Sequence, residues 1–493
     1  MIVNNLPALI VVVPLFGTYL TLMLGVKHRK SSSKIALVST GLLVVFTGFL
    51  AAMVAKNGEV FYHFGGWNPP WGIEFVIDRI SAFFLLIVSS IGFLIVVFGS
   101  GTLESEVKPK IIHYYYALFL VLIASLIAIS ASNDIFNIYV FLEISSVAAA
   151  ALVAVQGNKL SIEASVKYLI LSTLGSGAFL FAIANIYMVT GHLNLSFIAS
   201  KLPEAFSLYP LNVLASLGLV LVGLTIKAAL YPLHVWLPDA HGSAPTTSSA
   251  ILSGLVVKVY IIVFIKIIFR VLPPEYLNKV PLEFSLLLMS TLGIFIGSIL
   301  AMRQKDIKKM LAYSTVAQVG YIFLGIGLLT YNGLIGSLLH ILNHAIMKSM
   351  LFLSAGIIIK LTGRRRVDSL NGIGRVYPLP MIAFSLGALS MVGIPPLNGF
   401  VSKWYLGLGA LDGGQVFYVI VLLVSSFLNG LYYLPIVIRA FFGPDSGIQK
   451  PESLSVGVSL SLIILSVSTV FFGFFSSIPL EYLAPAVSAL FGL

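Results

Sequence analysis

Apolar runs of about 20 residues recur along almost the whole chain. They fall near 6–26, 35–55, 79–100, 111–131, 134–155, 165–190, 211–233, 246–269, 283–302, 309–330, 333–360, 379–408, 416–440 and 455–478. At roughly 1.5 Å per residue, each is long enough to cross a hydrocarbon layer of about 30 Å as an α-helix. The pattern therefore predicts an all-α polytopic membrane protein with about 14 transmembrane helices. Connections are short and polar, and no separate polar block is large enough for an appended soluble domain, so residues 1–493 read as a single membrane domain. The first 26 residues have neither a basic start nor a small-residue cleavage site, and they read as the first span.

Two of the runs are interrupted. In "TIKAALYPLHVWLPDAH", Thr225 to His241, Pro232 removes a backbone donor shortly after Lys227. In "SMVGIPPLNGFVSKWYLG", Gly393, Pro395, Pro396 and Gly399 interrupt the twelfth span, and Lys403 follows. A helix break inside a membrane is tolerated where the freed backbone is buried in protein or lines a wet cavity. Paired broken spans in corresponding places point to inverted repeats. Spans 4–8 and 9–13 would be two five-helix repeats, each broken at its fourth member. That divides the chain into 1–105 (spans 1–3), 106–270 (first repeat), 271–441 (second repeat) and 442–493 (span 14 and tail).

Composition agrees with this reading. The chain is 58% hydrophobic and 10% charged, with a mean hydropathy of +1.03, more apolar surface than a soluble domain can hide. The absence of cysteine excludes thiolate-bound clusters, Cys zinc sites and disulfides within the chain. A net charge of +11 invites a nucleic-acid reading, but its placement argues for topology. Odd-numbered loops hold 19 basic residues, among them Lys27, Lys108, Lys305, Arg364 and Lys450, whereas even-numbered loops hold five: Lys56, Arg79, Lys201, Arg270 and Lys279. The positive-inside rule then makes the odd loops cytoplasmic and puts both termini outside the cell membrane. No nucleic-acid partner is expected.

The other five lysines, Lys227, Lys258, Lys266, Lys348 and Lys403, fall inside spans, and Glu143 is the one acidic residue clearly within a span. A charge at mid-helix costs roughly 2.5–3.5 kcal/mol on insertion scales and commonly marks an ion or proton pathway. Lys266 sits near the end of its span and is expected to snorkel to the interface. Lys227, Lys258 and Lys348 lie too deep for that, and Glu143 needs a cation partner or a proton. In "GSLLHILNHAIMKSMLFL", His340, His344 and Lys348 recur every four residues and so stack along one helix face. Two histidines at that spacing can bind zinc, but no carboxylate or thiol lies nearby in sequence to complete a site; a polar stripe that carries hydrogen bonds or protons fits better. No Gly-rich phosphate loop, cysteine ligand or haem-attachment motif is present, so the chain is expected to hold no metal or cofactor and to do no catalytic chemistry itself. A buried lysine able to release its proton is a relay; one that cannot is a fixed positive plug.

Four stretches carry a resemblance. "YPLHVWLPDAHGSAPT", "DIKKMLAYSTVAQVGY", "LHILNHAIMKSMLFLSAG" and "GIPPLNGFVSKW" resemble the antiporter-like subunit family. That family includes the D-type subunits of Mrp Na+/H+ antiporters, the corresponding subunits of membrane-bound hydrogenases, and the proton-pumping membrane subunits of complex I. The resemblance runs from about span 3 to span 13. It implies the 14-helix fold with two inverted repeats and broken seventh and twelfth helices, and a proton path along Glu143, Lys227, Lys258, His340, His344, Lys348 and Lys403 with bound water between. Glu143 and Lys227 would pair, Lys258 would be the central lysine, and Lys403 the terminal one. His234 and His241 flank the first break and receive no relay role. Some complex I members carry a histidine near "AILSGLVVK", where this chain has Ser253; that favours water at the middle of the path. The chain stops near span 14, without room for the lateral helix of the longest complex I subunit, and looks more like the D-type Mrp subunits or their hydrogenase counterpart. Implied partners are homologous and small membrane subunits, with hydrogenase-like or iron–sulfur subunits if the parent complex is respiratory, and protons or Na+ as cargo. Whether the parent is a free antiporter or a redox-driven complex stays open, as does the alternative of a non-translocating membrane scaffold.

Overall fold

The computed structural model describes residues 5–26, 29–272, 276, 281–448 and 452–493; Lys27, Lys279 and Lys450 of the loop charge pattern lie outside them. Helices account for nearly all of it. Helices α1 (Leu6–Gly25), α2 (Arg29–Asn57) and α3 (Arg79–Gly99) come first, with an antiparallel hairpin of β1 (Val60–His63) and β2 (Glu74–Ile77) between the last two. Next come α4 (Ile112–Ala131), α5 (Ile135–Ala154), α6 (Lys159–Thr190), a short α7 (Leu195–Leu208), α8 (Pro210–Lys227) and α9 (Leu237–Ser243). The span α10 (Thr246–Val271) contains two π-helical stretches, Leu252–Val256 and Ile267–Val271. Then follow α11 (Leu282–Met302), α12 (Ile307–Gly327) and α13 (Tyr331–Thr362). The last five are α14 (Pro378–Val392), α15 (Asn398–Asp412), α16 (Val416–Phe442), α17 (Val456–Phe474) and α18 (Ser477–Phe491).

Thirteen helices among the described residues are long and apolar enough to cross a membrane. The pair α14 and α15, joined across the Gly393–Leu397 turn, makes the fourteenth crossing, so the sequence expectation of about 14 holds. The hairpin, α7 and α18 lie in stretches read from sequence as loops or tail.

Chain punctuation sets the helix ends. Asp134, Asn158, Asn194, Asp306 and Thr330 each accept a hydrogen bond from a backbone N–H in the first turn of the helix they precede. Gly191 and Gly363 close α6 and α13 in the left-handed conformation. Burial grades inward from α1 and α17, which are about one-third buried, to α10, which is wholly buried. Helix α13 is the central column: it packs on α3, α10, α12, α14, α15, α17 and α18.

Connections sort onto two faces. Even-numbered loops meet one another: Glu74 accepts from Asn133 and Asn194 at 2.9 Å each, and Arg270 pairs with Asp78 at 3.6 Å. Odd-numbered loops meet on the opposite face: Thr246 N donates to Glu106 at 2.5 Å, Lys309 pairs with Asp239 at 3.5 Å, and Arg365 donates to the Gly242 carbonyl at 2.5 Å.

Candidate functional site

The first break follows from its sequence. Helix α8 stops at Lys227, Ala229 turns left-handed (φ 54°), and the chain crosses Pro232 before α9 begins. Carbonyls freed there are recaptured: Leu230 N donates to Thr225 O at 3.0 Å, and the Trp236 indole donates to Ile226 O at 2.9 Å. Lys227 faces away from the break. Its ammonium reaches Glu143 of α5 at 3.3 Å, Ser146 at 2.7 Å and Ser172 of α6 at 3.1 Å. Ser176 also donates to Glu143. The lysine side chain is fully buried, whereas that of Glu143 is 31% exposed on the flank of the bundle. The expected Glu143–Lys227 pair is thus formed, and three serines complete its shell.

The second break works differently. Helix α14 ends at Val392, Gly393 adopts φ 92°, Pro395 and Pro396 occupy the turn, and α15 begins at Asn398. Here the lysine turns back on the break: Lys403 donates to the terminal carbonyls of Met391 and Val392 at 2.9 and 3.0 Å and to Ser426 of α16 at 3.0 Å. A cation on the carbonyl end of a helix is favourably placed in its dipole field. The Tyr321 ring covers the same ammonium at 4.8 Å. Beside it opens a cavity of about 300 Å³ on the bundle flank, lined by Lys403, Phe400, Trp404 and Ser426.

Lys258 sits in the middle of α10, just past the first π stretch, and donates to the Ser253 carbonyl five residues back. Single π turns inside α-helices are frequent at functional positions. The Ser253 hydroxyl meets Thr315 of α12 at 2.8 Å. On α13, His340 and His344 stack with ring centres 5.8 Å apart. His340 lies between Gln318 of α12 (Nε2 to Oε1, 2.9 Å) and Ser402 of α15 (Nδ1 to Oγ, 2.9 Å). His344 is fully buried, and neither ring nitrogen has a partner among the described residues. Lys348 donates to the Leu311 carbonyl at 2.7 Å and to Ser314.

Of the sequence-predicted row, the structure joins Glu143 to Lys227 and His344 to His340 directly, while Lys258, Lys348 and Lys403 each reach carbonyl or hydroxyl oxygens. Among the described residues Lys227 alone of the six buried lysines, Lys308 included, forms an ion pair. Lys266 departs from expectation. Its ammonium is buried and donates to the carbonyls of Ser130 and Ser132 at the end of α4, at 2.6 and 2.9 Å. It caps a helix, because α10 has no lipid-facing side along which a lysine could snorkel. His241 is fully buried without a partner for either nitrogen among the described residues, and His234 lacks one at Nδ1.

A second cavity, about 620 Å³, opens on the odd-loop face under the first break, lined among others by Glu163, Lys167, Asp239, Asp306, Lys309 and Arg365. Burial pushes the Asp239 carboxyl upward, but the hydrogen bond and charge of Lys167 at 2.8 Å, with Lys309, outweigh it and hold the group below its ordinary value.

Sequence reasoning did not name the hydroxyl and amide groups that hold these side chains. Ser146, Ser172, Thr315, Gln318, Ser402 and Ser426 are single uncharged residues inside spans. Spacing alone could have flagged Ser172 with Ser176, and Ser314 or Thr315 with Gln318, as polar neighbours on one helix face.

Residues 132–429, which contain every axis residue from Glu143 to Lys403, match the model of the NADH:quinone oxidoreductase/Mrp antiporter transmembrane family. The chain belongs to this family. Relatives match along nearly the full length of the antiporter-family chain. The NADH-quinone oxidoreductase subunit N of Desulforudis audaxviator is 38% identical over 488 residues, covering 96% of each chain. A D-type Na(+)/H(+) antiporter subunit of Alkalihalophilus pseudofirmus is 30% identical over 475 residues, covering 96% of this chain and 94% of its own. Among solved structures, a chain of the membrane-bound sulfane sulfur reductase, an archaeal respiratory membrane complex, superposes with a TM-score of 0.91 at 30% identity, covering 99% of this chain and 98% of its own. The protein is thus a multi-pass membrane member of the antiporter-like family, as its four motifs implied.

Proposed function

We propose that this chain is a proton-translocating, antiporter-like subunit of a multisubunit membrane complex. Protons move along Glu143, Lys227, Lys258, His344, His340 and Lys403, with water filling the gaps and Lys348 modulating the field from the side. The observation that carries this reading is the row itself. Lys258, Lys348 and Lys403 are buried, form no ion pair among the described residues, and have carbonyl and hydroxyl oxygens as their hydrogen-bond acceptors. An uncompensated cation in an apolar interior is costly. A scaffold has no need of three of them.

The mechanism is electrostatic. At 3.3 Å and an effective dielectric constant of 20, the Glu143–Lys227 attraction is roughly 5 kcal/mol. Opening that pair weakens the hold of Lys227 on its proton and changes the field on Lys258. Serine and threonine hydroxyls along the row both donate and accept, so they hand on hydrogen bonds in either direction.

We assign the odd-loop face to the cytoplasm and both termini to the outside, on the loop charge balance. We also read 106–270 and 271–441 as five-helix repeats of opposite topology within one membrane domain. Each holds one broken helix with a lysine at the break. The partners are other antiporter-like and small membrane subunits, which fits relatives named as an oxidoreductase subunit and as an antiporter subunit. The parent complex exchanges Na+ or is driven by redox subunits; this chain carries the protons in either case.

The test uses the intact complex in inside-out vesicles, with a pH-sensitive dye following translocation. Lys227→Ala and Lys258→Ala should each lower the rate by tenfold or more while leaving assembly intact. Translocation at the parental rate in both variants would reduce the chain to a scaffold.

A further inference from the structure

Helix α12 carries the stretch "DIKKMLAYSTVAQVGY", to which the axis gives no role of its own, yet it touches Lys348, His340 and Lys403. Ser314 accepts from Lys348, Thr315 meets Ser253, Gln318 meets His340 and Tyr321 covers Lys403. The contact at Gln318 has a property the others lack. A hydroxyl can donate or accept without moving a heavy atom, whereas an amide presents either an oxygen that only accepts or a nitrogen that only donates.

His340 is fully buried between Gln318 and Ser402, with one hydrogen bond to each ring nitrogen. A neutral imidazole carries one N–H and one bare nitrogen. With the Gln318 oxygen on Nε2, the proton must sit on Nε2 and Nδ1 is bare toward Ser402. With the amide nitrogen there, Nε2 must be bare and Nδ1 carries the proton. The Gln318 Nε2 atom is buried and has no hydrogen-bond partner among the described residues. Nothing on its far side pins the amide, and its terminal torsion is broad and two-fold.

We propose that Gln318 is a positioning residue that sets which nitrogen of His340 carries its proton, and so switches the histidine between taking up a proton and refusing one. This rests on the translocation path assigned above. With the amide oxygen on Nε2–H, the Ser402 hydroxyl turns from the Gly399 carbonyl (3.2 Å) to the bare Nδ1 and gives up its proton there, while the Ser402 oxygen takes one up from a protonated water of the proposed path. The product is an imidazolium whose Nε2–H stays on the Gln318 oxygen, and release runs through the same bonds in reverse. With the amide turned over, Nδ1 is already protonated and the step from Ser402 is shut.

The test compares the intact complex with Gln318→Met, which keeps length and volume but loses the amide. It reads proton translocation in vesicles together with 15N spectra of histidine-labelled complex, using His340→Ala to assign the His340 signals. Expected are a roughly tenfold lower rate, the scale of one lost buried hydrogen bond, and a mixture of both neutral tautomers where the parent is dominated by the Nε2–H form. A parental rate, or an unchanged tautomer ratio, in Gln318→Met overturns the assignment. If His340→Ala itself translocates at the parental rate, the path through this histidine falls instead. Should the methionine variant fail to assemble, Gln318→Leu decides: it too lacks the amide, so a parental tautomer ratio in that variant overturns the proposal.

Discussion

Lys266 and Lys258 lie on one buried helix, eight residues apart, and differ in what holds them. Lys266 donates to two carbonyls, of Ser130 and Ser132, at the end of α4. Lys258 reaches only the Ser253 carbonyl of its own helix. Removing the first should leave two buried acceptors unmatched, at about 1–3 kcal/mol each. Lys266→Ala is therefore expected to lower the melting temperature of the complex while the rate per assembled complex stays near parental. Lys258→Ala should lower the rate per assembled complex and cost less stability, because its ammonium holds one carbonyl of its own helix and ties no second helix. A rate loss in Lys266→Ala that matched that of Lys258→Ala would place both lysines on the path. The deep charges were legible in the sequence because a lysine amid leucines stands out. Their hydroxyl and amide holders were not, since a lone serine in a span is unremarkable until folding sets it beside a charge.

At the scale of elements, the breaks were legible from Pro232, Pro395 and Pro396, but what each break does was not. Lys227 turns away from its own break toward serines on α5 and α6, whereas Lys403 folds back onto the carbonyl end of α14. Gly393 makes that fold possible. Its φ of 92° suits glycine, and a Cβ there would lie 3.0 Å from Lys403 Cδ. Gly393→Ala should cost on the order of 1–3 kcal/mol in backbone strain and displace the ammonium. Translocation should fall severalfold, with Gly407→Ala, a glycine with open space around its Cβ position, as the unaffected control. The π stretches of α10 left no trace in composition, since an extra residue in a turn changes hydrogen-bond register and not residue type. Hairpin β1–β2, α7 and α18 escaped a reading built on 20-residue apolar windows because each is shorter than one.

For the whole molecule, the count of crossings and their alternation were legible because hydrocarbon thickness fixes span length and basic residues sort by loop. The cysteine-free chain makes the assigned sidedness directly measurable. Exposed Lys305 lies on the odd-loop face and exposed Lys56 on the other. A membrane-impermeant maleimide should label Lys56→Cys in intact cells and Lys305→Cys only in inside-out vesicles. The opposite pattern would invert the molecule.

Glu143, Lys258 and His344 each lie near the middle of their helix, and Lys227 and Lys403 lie at mid-span breaks. On the proposed path the row passes from helix middle to helix middle across the bundle, not along any one helix. Work against a transmembrane voltage depends on displacement along the membrane normal, about 2.3 kcal/mol per elementary charge per 100 mV for a full crossing. On the proposed path, a proton stepping sideways from Glu143 to Lys403 would do little of that work. The applied voltage would be felt instead on the legs that join this proposed path to the two aqueous sides.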